Sequence, residues 1–126
     1  MNTLRIVVVD DDDAIRNVIV AVTCETLPSA SVVDHASSLQ ALQDVQSSSA
    51  DLLVTNCHMP DMDGPTLVRT IREEKHAVPV IMVSGSEDAR TLGENAGIDR
   101  FVSKTWISTE LPDAIQTLLS DSGKPC

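Results

Sequence analysis

Aromatic residues are almost absent from this chain of 126 residues, which holds one Phe, one Trp and no Tyr. Without stacking platforms it is a poor candidate for binding single-stranded nucleic acid. Basic residues are scarce too. Nine Lys and Arg stand against 19 Asp and Glu, a formal charge of −10. Such a surface repels phosphate backbones and anionic lipid, so neither a nucleic acid nor a membrane is expected as a direct partner. Three cysteines, Cys24, Cys57 and Cys126, are an odd number without metal-type spacing, which points to reduced thiols and a cytoplasmic setting. No apolar run is long enough to span a bilayer. Met1-Asn2-Thr3 leads straight into an apolar run, with no leader-like pattern of charge and hydrophobicity.

What is present is an ordinary globular composition, 42% hydrophobic and 22% charged, of a size that fits one domain. With so few rings, the core must be aliphatic. Short apolar runs alternate with segments of helical period. Leu4 to Val9 is a β-branched strand ending at aspartates. Ala14 to Leu27 follows as a helix with Ile15, Val18, Ile19 and Val22 on one face. Asp12 or Asp13 caps it, and Pro28 ends it. Ser31–His35 reads as a weaker strand at a sheet edge. A short helix starts at Ser37 or Ser38 and runs through Leu39, Leu42 and Val45.

Asp51 to Thr55 makes the third strand, and Pro65 opens a helix buried through Leu67, Val68 and Ile71. Val78 to Val83 is the fourth strand, Glu87 to Asn95 a short polar helix with Gly93, and Arg100 to Ser103 the fifth strand. The last helix starts at Ser108 or Thr109, with Leu111, Ile115, Leu118 and Leu119 as its stripe. Residues 1–120 form the expected domain, and 121–126 a short tail. Strict alternation of strand and helix implies right-handed crossovers and a parallel sheet covered on both faces. The near-continuous apolar strands agree. The expected fold is therefore a doubly wound α/β three-layer sandwich.

In such folds ligands bind outside the carboxyl ends of the strands. Asp10 and Asp11 end the first strand, Asn56 the third and Ser84 the fourth, and Lys104 follows the fifth. Adjacent carboxylates on that rim make a hard-oxygen site of the kind Mg²⁺ prefers. A hydroxyl and a lysine beside it suit phosphoryl oxygens. Asp61 and Asp63 read as turn formers, His58 as an exposed loop residue and Cys57 as a small strand-end residue.

Four motifs in this order, Val8-Val9-Asp10-Asp11-Asp12, Met59-Pro60-Asp61-Met62-Asp63-Gly64, Val83-Ser84-Gly85 and Phe101-Val102-Ser103-Lys104, resemble those of the receiver domain of bacterial two-component response regulators. The resemblance spans nearly the whole chain. It implies a CheY-like, flavodoxin-like sheet in the order 2-1-3-4-5 with five helices. It makes Asp10, Asp11, Asn56 and the His58 backbone carbonyl the Mg²⁺ ligands, with binding weakened by the amide. Ser84 becomes the switch hydroxyl, Phe101 the switch aromatic and Lys104 the phosphate-pairing lysine. It also implies a histidine kinase or phosphotransfer protein and an output protein as partners, a monomer or weak dimer, and no enzymatic activity.

Two departures stand out. Asn56 falls where the resemblance places the phosphorylated aspartate, and an amide is a poor nucleophile, so phosphorylation is not expected. Thr105 stands where the family usually has proline after the lysine. A phosphatase of the haloacid-dehalogenase type is the alternative, from Asp10-x-Asp12, Ser84 and Lys104. It lacks a final acidic pair and a cap insertion.

Overall fold

The computed structural model describes residues 3–121. Residues 122–126, with Cys126 and all but the first position of the expected tail, lie outside the described residues. Among the described residues five strands alternate with five helices. These are β1 (Arg5–Val9), α1 (Asp13–Thr26), β2 (Ser31–His35), α2 (Ser38–Ser47), β3 (Leu52–Asn56), α3 (Gly64–Glu73), β4 (Val80–Ser84), α4 (Glu87–Ala96), β5 (Arg100–Ser103) and α5 (Ile107–Asp121). All neighbouring strands pair in parallel, and the order is β2-β1-β3-β4-β5. The doubly wound expectation holds.

Strand alternation divides the core into two layers. Ile6, Val8, Leu52, Val54, Ile81 and Val83 face one side and pack with Ile19, Leu111, Ile115 and Leu119 of α1 and α5. Val7, Val9, Leu53 and Val80 face the other, against Ala41, Val45, Leu67, Val68 and Ile71 of α2 and α3. Each fully buried aliphatic side chain contributes about 1.5–3 kcal/mol. The three central strands are apolar on both faces for this reason, whereas β2, at the edge, is only partly covered.

Several boundaries and faces differ from expectation. Val18, expected on the apolar face of α1, is 42% exposed, and Leu39 of α2 is 48% exposed. In α1 Ile15, Ile19 and Val22 pack on the core as expected, and Thr23 takes an inward place beside them. Thr23 tolerates burial because its hydroxyl donates to the Ile19 carbonyl at 2.7 Å. In α2 the small residues Ser38 and Ala41 face inward with Val45. Val78 and Pro79 precede β4 rather than opening it. Pro79 has no N–H to give, but its carbonyl accepts from the Leu53 N–H at 3.0 Å. The last helix starts earlier than expected, at Ile107, after a 3-10 turn over Lys104–Trp106. Here the N–H of Thr105 donates to Ser103 Oγ at 3.3 Å, a bond a proline could not make.

Gly93 lets α4 lie close to the sheet. A Cβ there would sit 2.8 Å from both Ile98 Cδ1 and Met82 Sδ. Gly97 ends the helix in the left-handed region, at φ 108°, where glycine is the favoured residue.

Candidate functional site

β1, β3 and β4 carry their polar residues to one rim, and β5 delivers Lys104 to it through the turn that follows. There Asp11, Asp12, Asn56, His58, Ser84, Gly85, Ser86 and Lys104 line an open cleft of about 390 Å³. Asp10 lies beneath, fully buried. Six of the seven residues singled out from sequence thus meet at one place. The seventh, Phe101, stays outside the cleft, half-buried on β5 against Cys57, Met82 and Ala89.

Asp10 accepts the Asp12 N–H on Oδ1 at 2.9 Å, while its Oδ2 is buried with no hydrogen-bond partner. Burial pushes this carboxyl above its usual range; the Asp12 amide and the charge of Lys104 only partly oppose that. An orphaned, desolvated carboxylate oxygen beside a second carboxylate is what a cation site leaves when its charge is not balanced. The donor set therefore fits a hard divalent ion. Among the described residues no three His, Cys, Asp or Glu side chains gather to hold a metal, so any such ion depends on the His58 carbonyl and on water as well.

Asn56 ends β3 almost fully buried, at 5% exposure. Its Nδ2 donates to the His58 carbonyl at 2.9 Å and reaches Asp10 Oδ1 at 3.4 Å and Asp11 Oδ1 at 3.5 Å. The nitrogen of the amide, not its oxygen, is turned towards the carboxylates. The His58 ring is exposed, and burial pushes the neighbouring Cys57 thiol up. Ser84, at 2% exposure, accepts the Ser86 N–H at 3.3 Å and pairs in register with Ser103.

Three supporting residues were missed from sequence. Arg16, one turn into α1, donates to the Asp10 carbonyl at 2.8 Å and also binds Asp13 and Asp34. A basic residue facing a strand end from the next helix was the available signal. Arg90 of α4 lies over the Phe101 ring, 4.6 Å from its centroid, a cation–π contact that pins the aromatic from outside. Nothing in the sequence pairs those two.

Asp61 is the third. It is more than a turn former, because it caps α2 from the β3–α3 loop. Its carboxylate accepts from Ser37 Oγ at 2.7 Å, Ser38 Oγ at 3.1 Å and the Leu39 N–H at 3.1 Å. Ser38 Oγ also reaches the Met62 carbonyl at 2.6 Å. The β3–α3 loop that carries His58 is thereby tied to the start of α2. The Ser37 hydroxyl foremost, then the Leu39 amide and Ser38, hold the Asp61 carboxyl far below its usual range. A depressed native pKa gives stability that is complete above the unfolded value near 4 and declines as pH falls below it. Asp61→Ala is expected to lose about 1 kcal/mol at pH 7, as for other helix caps. The deficit should shrink in urea titrations repeated towards pH 2.

Comparison with known proteins gives one answer. The family described as the response regulator receiver domain matches residues 6–116. The transcriptional regulatory protein PrrA of Mycobacterium tuberculosis is 31% identical over 94% of this chain, which spans 51% of that protein. The chain thus spans about half the length of such curated relatives. Among solved structures, the signal receiver domain of an HD domain-containing protein from Pseudomonas fluorescens is 28% identical, with a TM-score of 0.80 over 95% of this chain and 97% of its own. A CheY-like receiver domain protein from Methanospirillum hungatei superposes with a TM-score of 0.84 at 24% identity, over 95% of this chain and 96% of its own. No helix of the described residues is long and apolar enough to cross a membrane.

Proposed function

Because the chain belongs to the response regulator receiver domain family, we propose that it is a receiver that cannot accept a phosphoryl group as it stands and signals through protein contacts. The observation that carries this reading is the place of Asn56. It stands at the end of β3, on the cleft that Asp11, Ser84 and Lys104 share, with Asp10 directly beneath. That is where an attacking carboxylate would have to be.

An acyl phosphate forms when a carboxylate oxygen attacks phosphorus. The Asn56 amide has no anionic oxygen, and the lone pair of its nitrogen is delocalised into its carbonyl. In addition, that nitrogen is engaged with the His58 carbonyl. Lys104 and the Ser84 hydroxyl, both on the cleft, would bind phosphoryl oxygens. Asp10, Asp11 and the His58 carbonyl would hold Mg²⁺, whose charge would neutralise a phosphoryl group in the cleft. Asn56 removes one negative charge from that donor set, so the ion is bound weakly. No turnover of a substrate is assigned to the cleft.

The partners on this reading are a histidine kinase or phosphotransfer protein on one side and an output protein on the other. Both would be met in the cytosol, with no direct contact to nucleic acid or membrane. The domain is taken as residues 1–120, working as a monomer or weak dimer. Incubation with a small acyl phosphate and Mg²⁺, followed by intact-mass measurement, is expected to leave the mass unchanged. A stoichiometric phosphoryl adduct on the native chain would refute the reading, and peptide mapping would say which residue took its place.

A further inference from the structure

The way Asn56 is held suggests more than a lost nucleophile. Resting on the receiver reading above, we infer that the Asn56 carboxamide is a built-in substitute for the divalent cation, which must displace this amide in order to bind. One Nδ2 touches the three oxygens that such a cation would gather, those of Asp10, Asp11 and the His58 carbonyl. An amide NH₂ has two protons. The short 2.9 Å bond takes one, and the carboxylates at 3.4 and 3.5 Å share the other.

The orientation follows from the neighbours. Nitrogen and oxygen of an amide exchange places by a half-turn about one bond, and the hydrogen-bond network decides between them. With the oxygen inward, an acceptor would face two carboxylates and a carbonyl. With the nitrogen inward, a donor faces all three. A cation is repelled by those N–H groups, so the amide has to leave its three partners before the ion can take them.

The substitution is incomplete. An amide carries only partial positive charge, and Asp10 Oδ2 still has no partner. The cleft therefore keeps some affinity for a cation, while the amide keeps it assembled without one. An aspartate at this position would add a third carboxylate, so the same cleft would then need a cation to relieve the repulsion. The consequence is a receiver whose strand ends stay packed at low Mg²⁺.

Mg²⁺ titrations followed by ¹⁵N NMR on the whole chain, Asn56→Ala and Asn56→Asp test this. In EDTA the native Asn56 side-chain NH₂ is expected to exchange slowly with water, and to move on adding Mg²⁺. Asn56→Ala removes the competing donor without adding charge. It is expected to bind Mg²⁺ on the order of tenfold more tightly than the native chain, the equivalent of one charge-assisted hydrogen bond; Asn56→Asp should bind more tightly again. Equal or weaker binding by Asn56→Ala overturns the inference, since the amide would then be a bystander or a ligand. Fast exchange of the native NH₂ in EDTA overturns it as well, whatever the variants do. If Asn56→Asp shows no Mg²⁺ binding, the cleft is not a cation site and the receiver reading fails first.

Discussion

On the reading proposed above, Asn56→Asp is expected to give the chain a phosphoryl uptake that the native protein lacks, a single equivalent from a small acyl phosphate in the presence of Mg²⁺. The change replaces one NH₂ by one oxygen, and the rest of the cleft is already in place. The new carboxylate oxygen would stand 2.9 Å from the His58 carbonyl and about 3.5 Å from both aspartates if nothing moved. Four acceptor oxygens, with only the Asp12 N–H donating among them, cannot remain so close without a cation. The variant should therefore show Mg²⁺-dependent phosphorylation and Mg²⁺-dependent thermal stability together. Lys104 supplies the internal control. Removing one preorganised contact to a developing charge lowers rate on the order of a hundredfold or more, so Asn56→Asp with Lys104→Ala should phosphorylate slowly while folding normally. If Asn56→Asp gains no phosphoryl group while it binds Mg²⁺, the defect reaches beyond this residue.

The degree to which this was legible in sequence depends on the range of the interaction. The order of elements was readable because the strands Val7-Val8-Val9 and Ile81-Met82-Val83 are apolar without alternation, and only a sheet covered on both faces allows that. The rim residues were readable for a related reason, since a polar side chain closing such a run has to sit where the sheet ends. The helix faces were less so. Val18 and Leu39 look like core by period, yet Thr23 and Ser38 take the inward places by bonding to the carbonyls of Ile19 and Met62. Hydrophobicity does not encode that. The ties from Arg16 to Asp10, Asp61 to α2 and Arg90 to Phe101 bring together residues that share no spacing rule. They follow from tertiary placement alone.

Gly64 is the residue whose replacement should be most damaging, though it carries no functional group. A Cβ at this position would lie 2.1 Å from the Asn56 carbonyl oxygen and 3.1 Å from its carbon. Both are main-chain atoms, so no side chain can turn aside. The Gly64 N–H also donates to the Cys57 carbonyl at 2.7 Å, which holds the start of α3 against the end of β3. Ordinary van der Waals contact begins near 3.4 Å, so the gap must widen by 3.4 − 2.1 = 1.3 Å. Either Asn56 leaves its register with Val83, or α3 withdraws and the bond to Cys57 is lost. Gly64→Ala is accordingly expected to cost about 4 kcal/mol or more, in the range reserved for main-chain clashes and broken cores. Placed on the Asn56→Asp background, it should also abolish the gained phosphorylation, because the strand end that carries the acceptor has moved. Gly93→Ala gives the contrast. Its added Cβ meets only the movable ends of Ile98 and Met82, and the helix gains about 1 kcal/mol from alanine. Overpacking of about 1–3 kcal/mol opposes that gain, so the net loss should stay below 2 kcal/mol. Urea denaturation of the two variants side by side would decide the matter. Equal stabilities would mean that main chain at the rim yields as easily as side chains in the core.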